Sequence, residues 1–93
     1  MKLRLLLNDK KYADALDAVN IFYEEAKKQN ERSQLLKMQE YEDRIYIENG
    51  LRRYASSLSY CNKSLELKID LFGKDSLETT YGINTVGFVL FQL

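Results

Sequence analysis

The chain has 93 residues, 45% apolar and 30% charged, which suits one soluble globular domain (1–93) and excludes both a disordered polymer and a second core. Lys and Arg total 14, as do Asp and Glu, so no net field exists to hold a phosphate backbone or an anionic membrane, and neither is an expected partner. There is no His and only Cys61; without the commonest general base and zinc ligand, no metal, cofactor or catalytic activity is expected, and the lone thiol suggests a reducing, cytoplasmic setting.

No Pro interrupts the chain, and five helical segments can be read along it. The first, about 1–8, is a stub carrying Leu3, Leu5, Leu6 and Leu7 before Asn8-Asp9-Lys10 breaks the run. It reads as the last turns of a helix. The second, about 11–29, spaces Tyr12, Ala15, Leu16, Val19, Phe22, Tyr23 and Ala26 at the three-and-four interval of an amphipathic helix. The third, about 33–48, sets Leu35, Met38, Tyr41 and Ile45 on one stripe and is the most polar. Asn49-Gly50 is its expected stop, both residues tolerating the left-handed conformation.

The fourth segment, about 52–72, carries one stripe of Tyr54, Leu58, Cys61, Leu65, Ile69 and Phe72 and another of Tyr60, Leu67 and Leu71. Two stripes imply two neighbours. Gly73 ends it, and Asp75 or Ser76 caps the fifth segment, about 76–93, with Asp75 and Glu78 at capping-box spacing. Here too there are two stripes, Ile83, Val86, Leu90 and Leu93 beside Tyr81, Asn84, Phe88 and Phe91. Gly87 lies between them. A mid-helix glycine costs about 1 kcal/mol against alanine, so a close-packed neighbouring helix is expected there. Thr85 to Leu93, the longest apolar segment, is far short of the ~20 residues that span a bilayer.

A repeat ties these segments together. Tyr12-Ala13-Asp14-Ala15-Leu16 returns as Tyr54-Ala55-Ser56-Ser57-Leu58, 42 residues later. A period of this size signifies stacked helical hairpins. A third copy would fall due just after Leu93, and apolar residues near both ends (Leu3, Leu6, Leu90, Leu93) suit self-association or assembly into a longer array. The third segment fits the period poorly: shifting the fifth back by 42 places Arg44 and Glu48 on core positions, so a slip of a few residues is expected.

These residues resemble the tetratricopeptide repeat in its 42-residue, kinesin-light-chain-like form. The most similar stretch is Tyr54 to Phe88. Ser64-Leu65-Glu66-Leu67, Leu71-Phe72-Gly73-Lys74-Asp75 and Asn84-Thr85-Val86-Gly87 are similar to that family's B-helix end, its turn and its A-helix core. Ser76-Leu77 stands where the family has His-Pro, and Ser57 where it has alanine. The resemblance implies an all-α fold, antiparallel hairpins stacked as a right-handed α-solenoid fragment. It also implies a protein-interaction role: a peptide or partner subunit held on the concave face, with Tyr81, Asn84, Phe88 and Tyr46 as candidate contacts. An Asn amide there can pair with both N–H and C=O of an extended peptide. Leu6 to Leu58 also loosely resembles the helical-repeat part of proteasome-lid and signalosome subunits, which implies a structural subunit instead. Similar repeats occur in the sensor domains of peptide-responsive regulators.

Other chemistry is weak. Gly73-Lys74-Asp75-Ser76 follows a helix where a phosphate loop would follow a strand, and reads as an interhelical turn. Glu24, Glu25, Glu40, Glu42 and Asp43 read as solvated faces.

Overall fold

The computed structural model describes residues 11–28 and 33–93, and within them the chain is all-helical, with four α-helices and no strand. They are α1 (Tyr12–Lys28), α2 (Gln34–Gly50), α3 (Tyr54–Phe72) and α4 (Leu77–Gln92). The predicted stub over 1–8 lies outside the described residues. Each helix packs on its neighbour in the chain, α1 on α2, α2 on α3 and α3 on α4. The turns 51–53 and 73–76 are short, so the helices they join run antiparallel.

Local chemistry sets the helix ends. Ser33 caps α2, its Oγ accepting the Leu36 N–H at 3.0 Å. At the other end the expected stop at Asn49-Gly50 is corrected, because α2 continues through Gly50 and the left-handed residue is Arg52, at φ 60°. The Arg52 N–H donates to the Asn49 carbonyl at 3.0 Å and the Arg53 N–H to the Glu48 carbonyl at 2.8 Å, the two bonds of a Schellman closure. Gly50 has a packing role instead. A Cβ at that position would run into the Tyr12 ring.

Between α3 and α4, Gly73 adopts φ 91° and its carbonyl accepts from Ser76 Oγ at 2.9 Å and Thr79 Oγ1 at 2.7 Å. Ser76 is the N-cap, accepting the Thr79 N–H at 3.1 Å. The expected Asp75–Glu78 capping box is thereby replaced by Ser76 and Thr79.

Two hydrophobic clusters hold the helices together. The first joins α1 to α2 through Ala15, Val19, Tyr23 and Ile47, with Tyr12, Leu16 and Ala18 packed against it. The second joins α2, α3 and α4 through Ile45, Cys61 and Val89, with Tyr54, Leu58 and Tyr60 packed against it. Tyr12 and Tyr54, Leu16 and Leu58, Ala18 and Tyr60, Val19 and Cys61, and Ile47 and Val89 are all separated by the same 42 positions. Ala15 and Ser57, both fully buried, are a further such pair. The expected slip of α2 is therefore corrected. Ile47 and Val89 keep α2 and α4 in the 42-residue register, and Arg44 and Glu48 do occupy sheltered positions.

α3 differs from its predicted stripes. Its deepest line is Ser57, Cys61, Ser64 and Lys68, small or polar residues of which only Cys61 belongs to a predicted stripe. A helix enclosed by neighbours on two sides presents its narrowest line where they converge, and the bulkier Leu58, Leu65, Leu67 and Leu71 flank it half-buried. On α4 the buried residues are Thr79, Gly82 and Val89, so both predicted stripes lie largely outside the core. Close helix approach occurs at Gly82, where a Cβ would lie 3.0 Å from Leu65 Cδ1 and 3.3 Å from Lys68 Cδ. Gly87, expected to fill that role, has open space before it.

Candidate partner-binding surface

α4 presents an exposed apolar surface. From Thr79 to Leu93 its sequence contains no charged residue. Within that stretch Tyr81, Ile83, Phe88, Leu90, Phe91 and Leu93 are each more than half exposed, up to 88% for Phe91. Soluble monomers seldom leave large contiguous apolar patches uncovered, and such patches mark sites of association.

Three of the four predicted contact residues share this surface. Tyr81, Asn84 and Phe88 follow at spacings of three and four on α4 and all are exposed. Below Tyr81, Lys68 Nζ lies 5.8 Å from its ring centroid, in cation–π range. Lys68, Leu77, Glu78 and Tyr81 enclose a shallow cleft of about 240 Å³. The fourth residue, Tyr46, belongs to the α1–α2 junction, its ring centroid 5.7 Å from that of Tyr12. Tyr46 and Phe88 are nevertheless equivalents, 42 positions apart. Partial burial and the Tyr46 hydroxyl together raise the Tyr12 phenol above its ordinary pKa.

Lys68 is the residue that sequence reasoning missed. It is only 7% exposed. Its Nζ sits 2.6 Å from Glu42 Oε1, which also accepts the Ser64 hydroxyl at 2.8 Å. The pair joins α3 to α2 and supports Tyr81 on α4, so a buried cation bears directly on the exposed surface. Its only sequence signal was position: Lys68 lies four residues after Ser64 and seven after Cys61, on the line facing α2.

The carboxylates of α2 correct a second expectation. Asp43 is buried and accepts the Tyr23 hydroxyl at 2.7 Å, tying α2 to α1. Glu40 holds the Arg44 guanidinium at 2.9 Å, and that guanidinium also donates to Asn20 Oδ1 at 2.9 Å. Glu48 is buried with Arg53 3.9 Å away, and its Oε2 has no hydrogen-bond partner among the described residues. Glu40, Glu42 and Asp43 are thus interhelical and intrahelical fasteners, not a solvated face. Glu24 and Glu25 are exposed, as read from sequence.

Among the described residues no group of three or more His, Cys, Asp or Glu is placed to hold a metal ion, and no helix is long and apolar enough to cross a membrane. Cys61 is buried, its Sγ 4.0 Å from Ser57 Oγ. A cleft of about 350 Å³ lies between α1 and α2, lined in part by Tyr23, Lys27, Leu36 and Lys37, away from the predicted contact residues. Comparison with known proteins returned no match to any family model, curated protein or solved structure.

Proposed function

We propose that this chain is a protein-interaction module of the tetratricopeptide-repeat type, a fragment of a right-handed α-solenoid that acts by binding and not by catalysis. The observation that carries the reading is the uncharged, exposed surface of α4, with Tyr81, Asn84 and Phe88 on one stripe. The 42-residue correspondence of the two core clusters supports the repeat architecture. In this reading a peptide or partner subunit lies along α4, its apolar side chains covering Tyr81 and Phe88 and its polar groups meeting the Asn84 amide. The Lys68–Glu42 pair lies beneath the Tyr81 ring.

The test is the affinity of a purified partner for the native chain and for the Tyr81→Ala/Asn84→Ala double variant. Two truncations at ~1 kcal/mol each predict about a 30-fold loss. Unchanged affinity for that partner would remove the α4 surface from the reading.

A further inference from the structure

The repeat makes α2 a template for α4. The side of α2 that meets α1 contains Asp43, Arg44, Ile47 and Gly50, through bonds to Tyr23 and Asn20 and packing against Ala15, Val19 and Tyr12. Moved forward by 42, the central two of these become Val86 and Val89, which do pack in the cluster containing Cys61 and Tyr54 of α3. The translation therefore holds at these two positions of the first side.

The second side of α2 is covered by α3. Tyr41 meets Tyr60 at 6.1 Å between ring centroids, Glu42 meets Ser64 and Lys68, and Ile45 joins the cluster of Cys61. Moved forward by 42, Tyr41, Glu42 and Ile45 become Ile83, Asn84 and Gly87. All three are exposed. We propose that this second side of α4 seats an α-helix of a protein partner, lying antiparallel to α4 as α3 lies on α2, and that the helix presents an uncharged contact face. The proposal rests on the interaction-module reading and names its partner's chemistry.

The chemistry follows from the substitutions between the two templates. Glu42 neutralises Lys68 and accepts from Ser64, so its helix partner must bring a cation. Asn84 carries no charge, and a lysine buried against it would lose its hydration without gaining a counter-ion. Ile45 fills its space, whereas Gly87 has none of its own side chain and nothing within 4 Å. The incoming helix must supply bulk there. Neutral amide plus open glycine select an apolar helix and reject a basic one.

The chain itself contains helices of both kinds. In α3 the line facing α2 is Tyr60, Cys61, Ser64 and Lys68; the equivalent line in α1, again 42 positions earlier, is Ala18, Val19, Phe22 and Ala26. Synthetic peptides of residues 11–28 and 53–72 are therefore matched probes of the same docking position. Each is titrated into the full chain, up to about 1 mM, with binding read by fluorescence anisotropy and by amide exchange of α4. The 11–28 peptide should bind at least tenfold more tightly and slow exchange in α4. Asn84→Glu should invert the order by providing a counter-ion for the Lys68 of the 53–72 peptide.

Equal binding of the two peptides, an order that survives Asn84→Glu, or no binding of either peptide to either chain would each overturn the proposal. A loss of partner affinity in Tyr81→Ala/Asn84→Ala with no peptide binding would sink this docking mode alone. Intact affinity in that variant, with the peptide order as expected, would instead displace the Tyr81 stripe and leave the helix site.

Discussion

α2 and α4 occupy equivalent places in the repeat and solve opposite problems. α2 is the more polar by sequence, yet it is enclosed on two sides, and its Asp43 and Glu48 are buried. α4 has no charge after Glu78, yet Phe91, Leu90 and Ile83 face outward. Burial here is decided by neighbours and not by hydropathy. α2 can be polar because each carboxylate meets a donor from an adjacent helix: Tyr23 for Asp43, Ser64 and Lys68 for Glu42. α4 packs chiefly on α3 and shares the cluster of Ile45, Cys61 and Val89 with α2 and α3, and its apolar second side is exposed.

The comparison can be broken most forcefully at Glu42. Glu42→Leu removes the ion-pair partner of the Lys68 side chain, which is only 8% exposed, and should cost ~2–4 kcal/mol in urea unfolding. Lys68→Met should cost less, ~1–2 kcal/mol, because the Glu42 side chain is 39% exposed and keeps the Ser64 hydroxyl. The double variant should recover most of the loss, since an apolar pair of similar volume carries no desolvation penalty. Additive losses across the cycle would mean that the pair does not fasten α2 to α3.

How much of this was legible beforehand differs between the same two helices. The starts of α1 and α3 were readable because Tyr12-Ala13 and Tyr54-Ala55 repeat outright and lie on strongly periodic helices. The match of Ile47 with Val89 was hidden: in α2 the neighbouring residues are Tyr46 and Glu48, so the apolar period points to a different line. A buried carboxylate is spelled like a solvated one, and only the position of Tyr23, Ser64 or Lys68 on another helix distinguishes them. Helical spacing put Tyr81, Asn84 and Phe88 on one stripe, but only the resemblance to the tetratricopeptide repeat made them candidate contacts. The cation beneath Tyr81 was not legible, because Lys68 reaches it from α3.

The glycines sharpen the comparison at intermediate size. Gly50 of α2 lies under the Tyr12 ring, so Gly50→Ala forces the ring or the backbone aside and should destabilise by ~1–3 kcal/mol. Gly87 of α4 meets nothing, so Gly87→Ala should stabilise the isolated chain by ~1 kcal/mol through helix propensity alone. The same substitution should weaken a helix seated on the second side of α4, since it partly fills the open space. Opposite shifts of the thermal midpoint for the two variants are the expected result. A destabilising Gly87→Ala would show that this face is already packed in the free protein.

The smallest expected effect concerns pH and probes the junction where the two helices share a core. Burial raises the Cys61 thiol above its ordinary pKa, and the Glu42 carboxylate adds to the rise, while the Ser57 hydroxyl and the Lys68 ammonium oppose it. Because the folded chain resists forming the thiolate, the unfolded chain loses this proton at lower pH. The contribution is therefore fully present below the ordinary thiol range and disappears as pH rises through the folded value. The Tyr12 phenol, raised by partial burial and by Tyr46, adds a second loss at higher pH. Unfolding in urea from about pH 7 to about pH 11 should show stability falling in the thiol range first. Cys61→Ala should lower stability at neutral pH and remove that first fall, whereas Tyr12→Phe should leave the first and remove the second. If Cys61→Ala retained the whole alkaline profile, the thiol between Ile45 and Val89 would not be the group that titrates, and burial in the shared core of α2, α3 and α4 would not be what shapes it.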